Sequence, residues 1–331
     1  MATAAPLLSV SDLRVSIAAG AGHWMLVDGI SLEVGAGEVL GLVGESGSGK
    51  SLTLRSIVRL LRPPLQVAGE VRWRGVNLLE LPERQLNAIR GREIAVIFQE
   101  PMTALNPVLT VGEQIRESLH AHSGLDGPGI RKRAIALLDH VGIPAARTRV
   151  DDYPHQFSGG MRQRAMIAIA LAAEPKLLLA DEPTTALDVT IQDQILKLIL
   201  RLKTELGMSV VLVTHDLGVI AQTCDRVAVM YAGRIVEQAP VAVLLGEPRH
   251  AYTRGLLDSV PLAGHARRPL RPIAGAPPSP GDRPSGCSFA PRCSYATAPC
   301  LQAPPPLIEV GRDHLSACLH HARLAAEAAQ P

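Results

Sequence analysis

Apolar and polar residues alternate near the start of the chain, at Leu8 and Val10 and then at Leu13, Val15 and Ile17. That period of two predicts a strand over residues 8–17. Val39 to Val43 is a short continuous apolar run ending in glycines, which predicts a buried strand and then a loop. Ser51 to Leu61 reads as a helix, stopped by Pro63-Pro64. Val71 and Trp73 alternate in another strand, and Ile94 to Phe98 is strand-like, ending at Gln99. Residues 104–174 carry helical signals, with Gly/Pro breaks at 124–128 and 142–144. Lys176 to Ala180 predicts a buried strand. Within 188–206, Ile191, Ile195, Leu198, Ile199, Leu202 and Leu206 form one helical stripe. Val210 to Val213 and Val227 to Met230 are further strand-like runs. Strands alternating with helices predict an α/β fold with a mostly parallel sheet and helices on its faces. The 104–174 block reads as a helical insertion into that sheet.

Composition narrows this picture. Of 331 residues, 47% are hydrophobic but only 3% aromatic, so the core is built from Ala, Val, Leu and Ile. The apolar content excludes a disordered chain. A net charge of +2, from 33 Lys+Arg against 31 Asp+Glu, argues against a nucleic-acid partner held by bulk charge. The best apolar run, Ala165 to Ala173, stops at Glu174-Pro175, short of the roughly 18–20 residues a membrane span needs. The N-terminus lacks a basic segment and a long apolar segment, so no signal peptide is expected and the expected compartment is the cytoplasm. Thirteen of the 26 prolines and four of the five cysteines fall in residues 261–331. This shift predicts a boundary near Pro261, between a body at 1–260 and a Pro- and Cys-rich extension at 261–331.

Gly44-Glu45-Ser46-Gly47-Ser48-Gly49-Lys50-Ser51 matches the phosphate-binding pattern G-x-x-x-x-G-K-[S/T], between a predicted strand and a predicted helix. Glycines there let backbone N–H groups turn toward phosphate oxygens, and a helix N-terminus adds its positive end. Lys50 supplies a cation for β- and γ-phosphates, and the Ser51 hydroxyl can ligate Mg²⁺. Asp181 and Glu182 follow an apolar strand, at the strand edge where open parallel sheets bind ligands. Asp181 suits Mg²⁺ coordination, and Glu182 suits activation of a water. Ser158-Gly159-Gly160 precedes a helix that runs to about Ala173; Ser158 can cap it, and the small residues leave backbone amides open to an anion.

Taken together, these residues resemble the ATP-binding cassette ATPases. The phosphate loop at 44–51 corresponds to Walker A, and Gln99 follows a strand. The signature is Tyr153-Pro154-His155-Gln156-Phe157-Ser158-Gly159-Gly160-Met161-Arg162-Gln163-Arg164. Asp181-Glu182-Pro183 is similar to Walker B, Thr185-Ala186-Leu187-Asp188 to the D-loop and Thr214-His215-Asp216 to the switch-histidine segment. The order and spacing follow the family pattern over residues 7 to about 246. Phe98 to Pro107, Ala180 to Gln192, Met230 to Arg234 and Pro248 to Thr253 resemble the dipeptide/oligopeptide (peptide/nickel) importers, which end in a similar Pro- and Cys-containing segment. Two departures are visible: the signature reads Phe-Ser-Gly-Gly-Met, usual for peptide importers, and His250-Ala251-Tyr252 replaces the commoner His-Pro-Tyr.

The resemblance implies a P-loop cassette with a RecA-like parallel core, an N-terminal antiparallel β subdomain, a helical subdomain at about 104–174 and a small C-terminal extension. It implies that Trp24, or its neighbour His23, stacks on adenine; that Gln99 reaches Mg²⁺ or the attacking water while its loop faces a permease; and that His215 contacts the γ-phosphate. Ser158, Gly159 and Gly160 are expected to bind ATP held by a second cassette, because a signature cannot fold back onto its own phosphate loop. Two chains then close over two ATP molecules and reopen after hydrolysis. The implied partners are a second ATPase subunit, often a paralogue, two membrane permease subunits and an extracytoplasmic solute-binding protein. The implied place is the cytoplasmic face of the inner membrane. The implied activity is ATP hydrolysis powering import of di- or oligopeptides; alternatives are nickel or another small solute, a non-transport cassette ATPase, or a metal-sensing regulator.

The cysteines leave three readings open. The spacing Cys287-x5-Cys293-x6-Cys300-x17-Cys318 lacks a C-x-x-C knuckle, which makes a zinc ribbon a poor match. A disulfide framework is disfavoured in a cytosolic chain. Four thiolates can hold an iron–sulfur cluster such as [4Fe-4S]; zinc and metal-free thiols are the other readings. Cys224 reads as a small buried hydrophobe.

Overall fold

The alternation that opens the chain slips by one residue between Val10 and Leu13, and the backbone shows how. In the computed structural model, which describes residues 5–19, 22–122, 127–185, 187–259 and 271–328, β1 (Leu8–Ala19) bulges there. Asp12 turns to φ 48°, and the register against both neighbouring strands shifts. An extra residue in one strand restores the inward direction of the next side chains, so Leu8, Val10, Leu13 and Val15 are all buried. Opposite the bulge, Gly69 has φ 103° and a Cβ there would strike the Asp12 carbonyl, so only glycine fits.

The chain divides into two compact units, Met1–Leu79 with Thr214–Pro331, and Glu80–Val213. In the first, β1 lies between β2 (Gly22–Val34) and, on its other side, the strand Leu65–Trp73 of an antiparallel sheet. β3 (Val39–Val43) is buried at every position, as its apolar run predicts. It leads through the glycine loop into the helix Lys50–Ile57. That helix ends four residues before the expected Leu61. Arg59 enters the left-handed region at φ 50°, and the Leu60 N–H bonds back to the Arg55 carbonyl, closing the helix ahead of the prolines. Leu65–Trp73 is β4, and β5 (Val76–Asn77) pairs with it.

In the second unit, β6 (Ile94–Ile97), β7 (Leu177–Asp181) and β8 (Ser209–Thr214) run parallel, with Val96 opposite Leu179 and Ala180 opposite Leu212. Helices Val111–His122, Gly127–His140 and Gly159–Ala170 come between β6 and β7 in the sequence, so the helical insertion is present. The last of them stops at Ala170 rather than near Ala173. The long helix Val189–Leu206 buries Ile195, Leu198, Ile199 and Leu202, the centre of the predicted stripe.

The remaining strands return to the first unit. β9 (Arg226–Tyr231) is parallel to β3, and β10 (Arg234–Pro240) turns back antiparallel. The Pro- and Cys-rich segment extends this sheet: β12 (His314–Ser316) pairs with β10, after β11 (Ile308–Gly311) pairs with β12. The boundary expected near Pro261, residues 124–126 of an expected break, and Ala186 lie outside the described residues. Among the described residues no helix is long and apolar enough to cross a membrane.

The graft of this segment onto the sheet carries a buried histidine. His250 is 1% exposed; its backbone N–H donates to Glu237, and its Nδ1 accepts the Tyr252 N–H at 3.0 Å, capping the helix Ala251–Asp258. Burial pushes its pKa from 6.5 down to about 3. The folded state therefore disfavours the proton that the unfolded chain accepts. The stability contributed by neutral His250 is complete above about pH 6.5 and drains as pH falls toward 3, at up to about 1.4 kcal/mol per pH unit. In His250→Asn, which keeps a capping acceptor without a titrating ring, the fall in unfolding free energy between about pH 6 and 4 should be shallower by that amount. Equal slopes for the two proteins in urea titrations would contradict the assignment.

Candidate nucleotide site

The phosphate loop is shaped by close approach. A Cβ on Gly44 would strike the Met230 carbonyl of β9, and Gly49 takes φ 102° at the start of the helix Lys50–Ile57. Gly49 has no side chain to cap that helix, so its first amide groups face the loop. Lys50 is 5% exposed; its Nζ donates to the carbonyls of Gly44 at 2.7 Å and Glu45 at 3.0 Å, folding the ammonium across the loop. The buried Ser48 hydroxyl has no hydrogen-bond partner among the described residues. Such a hydroxyl, beside a buried ammonium at a helix N-terminus, fits the oxygens of a polyphosphate. Ser51 lies in the first helical turn. Trp24 stands on β2, 49% exposed, and His23 beside it is exposed too. His215 is exposed directly after β8, where Asp216 caps the next helix.

In the other unit, Asp181 ends β7 at 1% exposure. Glu182 follows with φ 46°, a left-handed conformation uncommon for a residue with a side chain, and one that concentrates at functional sites. Its carboxylate accepts the Gln99 Nε2–H at 3.2 Å and the Thr185 hydroxyl at 2.8 Å. The structure thus brings Gln99 and Glu182 together across 83 residues. Sequence alone places Thr185 only in the D-loop; its i+3 spacing from Glu182 after a strand end is the signal that could have found the contact. Ser158 caps the helix Gly159–Ala170 as expected, with its Oγ accepting the Met161 N–H at 3.3 Å. Ser158 and Gly159 are exposed, and a Cβ at Gly160 would press on Ile191 at 3.0 Å.

Sequence reasoning also misses what surrounds Glu45. The Tyr252 hydroxyl accepts the Glu45 N–H at 2.9 Å, and Arg292 grips the Glu45 carboxylate with two bonds, at 2.7 and 3.1 Å. No local pattern pairs residues more than 200 positions apart.

Cys287, Cys293, Cys300 and Cys318 line one small cavity with His250, Phe289 and His320. All four are free thiols. Burial raises Cys287, Cys318 and Cys293, the last to about 11. Backbone hydrogen bonding opposes burial at these three sulfurs, and one such contact is direct: the His320 N–H donates to Cys318 Sγ at 3.4 Å. Among the described residues, no three His, Cys, Asp or Glu side chains are grouped to hold a metal ion. Cys224 packs against Gly41, and burial pushes its thiol up to about 12, so it is a poor nucleophile.

Comparison with known proteins agrees with this geometry. The family profile described as ABC transporter matches residues 27–185, and that described as oligopeptide/dipeptide transporter, C-terminal region, matches residues 236–300. A peptide import ATP-binding protein of Brucella abortus (strain 2308) is 50% identical over 315 residues, 95% of each chain. A peptide ABC transporter ATP-binding protein of Sinorhizobium fredii (strain NBRC 101917 / NGR234) is 50% identical over 94% of each chain. Among solved structures, a dimeric ATP-binding cassette in a post-hydrolysis state with ADP and Pi has 31% identity and a TM-score of 0.64, covering 71% of this chain and 98% of its own. A cbiO1 protein from Clostridium perfringens, part of a cbiONQ ABC transporter complex, has 27% identity and a TM-score of 0.62, covering 73% of this chain and 91% of its own. With its phosphate loop, its strand-end carboxylates and half of its residues shared along nearly its whole length, the chain belongs to the ABC transporter family, as an ATP-binding subunit with the oligopeptide/dipeptide type of C-terminal region.

Proposed function

We propose that this chain is the ATP-hydrolysing subunit of an importer of di- or oligopeptides. The buried Lys50 ammonium folded across a glycine loop at a helix N-terminus carries the motor reading. The C-terminal region and the relatives' names favour peptide as the cargo. In this reading, Gly44, Glu45, Ser46, Gly47, Ser48, Gly49, Lys50 and Ser51 hold the phosphates, and Trp24 stacks on adenine. Ser51, Asp181 and Gln99 would hold Mg²⁺, which neutralises phosphate charge when bound. Glu182 takes a proton from the attacking water, Gln99 and Thr185 hold its carboxylate, and His215 meets the γ-phosphate. Ser158, Gly159 and Gly160 serve the ATP of a second cassette. The parts are a cassette at 1–260, with its helical subdomain at about 104–174, and an extension at 261–331.

The subunit acts as a peripheral protein beside membrane permeases. We place it on the cytoplasmic face of the inner membrane, with a second, paralogous ATPase subunit, two permeases and an extracytoplasmic solute-binding protein. Proteoliposomes holding these components should hydrolyse ATP faster when peptide-loaded binding protein is added. Stimulation by nickel instead would overturn the cargo, and no stimulation by any loaded binding protein would overturn the importer reading.

The four cysteines would hold a [4Fe-4S] cluster, which supplies a redox-active centre when bound. Four thiols around one cavity match the number of ligands such a cluster takes, and iron would offset the burial that otherwise disfavours their thiolates. Protein purified without oxygen should contain iron and acid-labile sulfide in equal amounts. Colourless, iron-free protein would remove the cluster.

A further inference from the structure

The C-terminal segment reaches the nucleotide end of its own unit at three places. Gly281 lies against the Trp24 indole, so that a Cβ there would sit 3.2 Å from the ring. The Arg283 guanidinium donates to the Leu26 carbonyl at 3.1 Å. Arg292, directly before Cys293, binds Glu45 inside the phosphate loop. The Arg292 side chain is only 6% exposed and its partner 25%. It is held from behind by the Ala274 carbonyl at 2.9 Å and lies 5.8 Å from the Tyr231 ring centre. A surface salt bridge has no such seat.

A carboxylate in a phosphate loop is an electrostatic problem. Glu45 adjoins the amides that receive phosphate, and a bare negative charge there repels the polyanion. Arg292 neutralises that charge and fixes its direction with a two-pronged grip, which lysine's single ammonium cannot copy. Tyr252, from the helix capped by His250, bonds the same residue's N–H. Both contacts come from elements that line or adjoin the cysteine cavity.

We propose that Arg292 is a positioning residue of the nucleotide site, through which the cysteine-lined C-terminal lobe holds the Glu45 carboxylate away from incoming phosphates and so sets nucleotide affinity. This rests on the reading that ATP binds at the phosphate loop. The nucleotide-binding energy of the cassette then depends on a segment that follows it in sequence, and any rearrangement of the lobe that withdraws Arg292 weakens ATP binding.

The test is equilibrium binding of a fluorescent ATP analogue with Mg²⁺ to the full chain, in a double-mutant cycle. Arg292→Ala should weaken binding about tenfold at roughly 50 mM salt and only about threefold at roughly 0.5 M, because screening shortens the reach of the uncompensated charge. With Glu45→Gln already present, the same change should cost less than about twofold, since no charge is left to neutralise. Arg292→Lys should fall between, near threefold. A loss that is as large when Glu45→Gln is present, or that ignores salt, overturns the proposal. If Arg292→Ala does not fold, Arg292→Lys with and without Glu45→Gln carries the same comparison. Lys50→Ala separates the two readings. If it leaves affinity intact, ATP binding at this loop is wrong. If it abolishes binding while the Arg292 variants match the wild type, only the proposal for Arg292 fails.

Discussion

Glu182→Gln should slow ATP hydrolysis by about a thousandfold while leaving nucleotide binding intact, because losing a general base typically costs roughly 10²–10⁴ in rate. The substitution keeps size and shape. The amide oxygen can still accept the Gln99 and Thr185 hydrogen bonds that hold the side chain at 3.2 and 2.8 Å. It loses only the basic oxygen that the proposed role assigns to receiving a proton from water. With hydrolysis blocked and binding preserved, two chains should remain closed around Mg²⁺ and ATP, which gel filtration detects as a dimer that ADP does not support. Turnover near the wild-type rate would remove Glu182 from the base role. The left-handed backbone at Glu182 makes the outcome specific to chemistry, since the variant inherits the same strain and the same partners.

Lys50→Ala should weaken ATP binding by about 3 kcal/mol, a loss of roughly 150-fold, and abolish measurable turnover. The ammonium is buried and donates to two loop carbonyls. Its removal costs charge-assisted bonds to phosphate and also leaves those carbonyls without that donor. The first effect lowers nucleotide affinity, and the second loosens the free loop. Titration with a fluorescent ATP analogue measures the loss, and unchanged affinity would contradict the placement of phosphate at this loop. The two variants separate the two proposed roles: Lys50 in holding the nucleotide and Glu182 in cleaving it.

Much of the fold was legible because burial imposes period. The run Val39 to Val43 reads as a strand with both faces covered, and it is buried at every position. The stripe in 188–206 matches the buried face of Val189–Leu206. Helix ends are less legible. Pro63-Pro64 marked where a helix must have stopped, whereas Arg59 in the left-handed region decided where it did stop. The slip between Val10 and Leu13 was visible as a broken alternation, but only the paired strands revealed a bulge at Asp12.

The site divides in the same way. The phosphate loop, the strand-end carboxylates and the Ser158 cap are local patterns, set by backbone geometry within a few residues, and the sequence by itself determined them. The Gln99–Glu182 contact, the Arg292 grip on Glu45 and the gathering of four irregularly spaced cysteines around one cavity were decided by the tertiary structure alone. The physical reason is that side-chain charge pairing and thiol convergence depend on which strands lie side by side. A linear chain encodes that adjacency only through the packing of the whole unit.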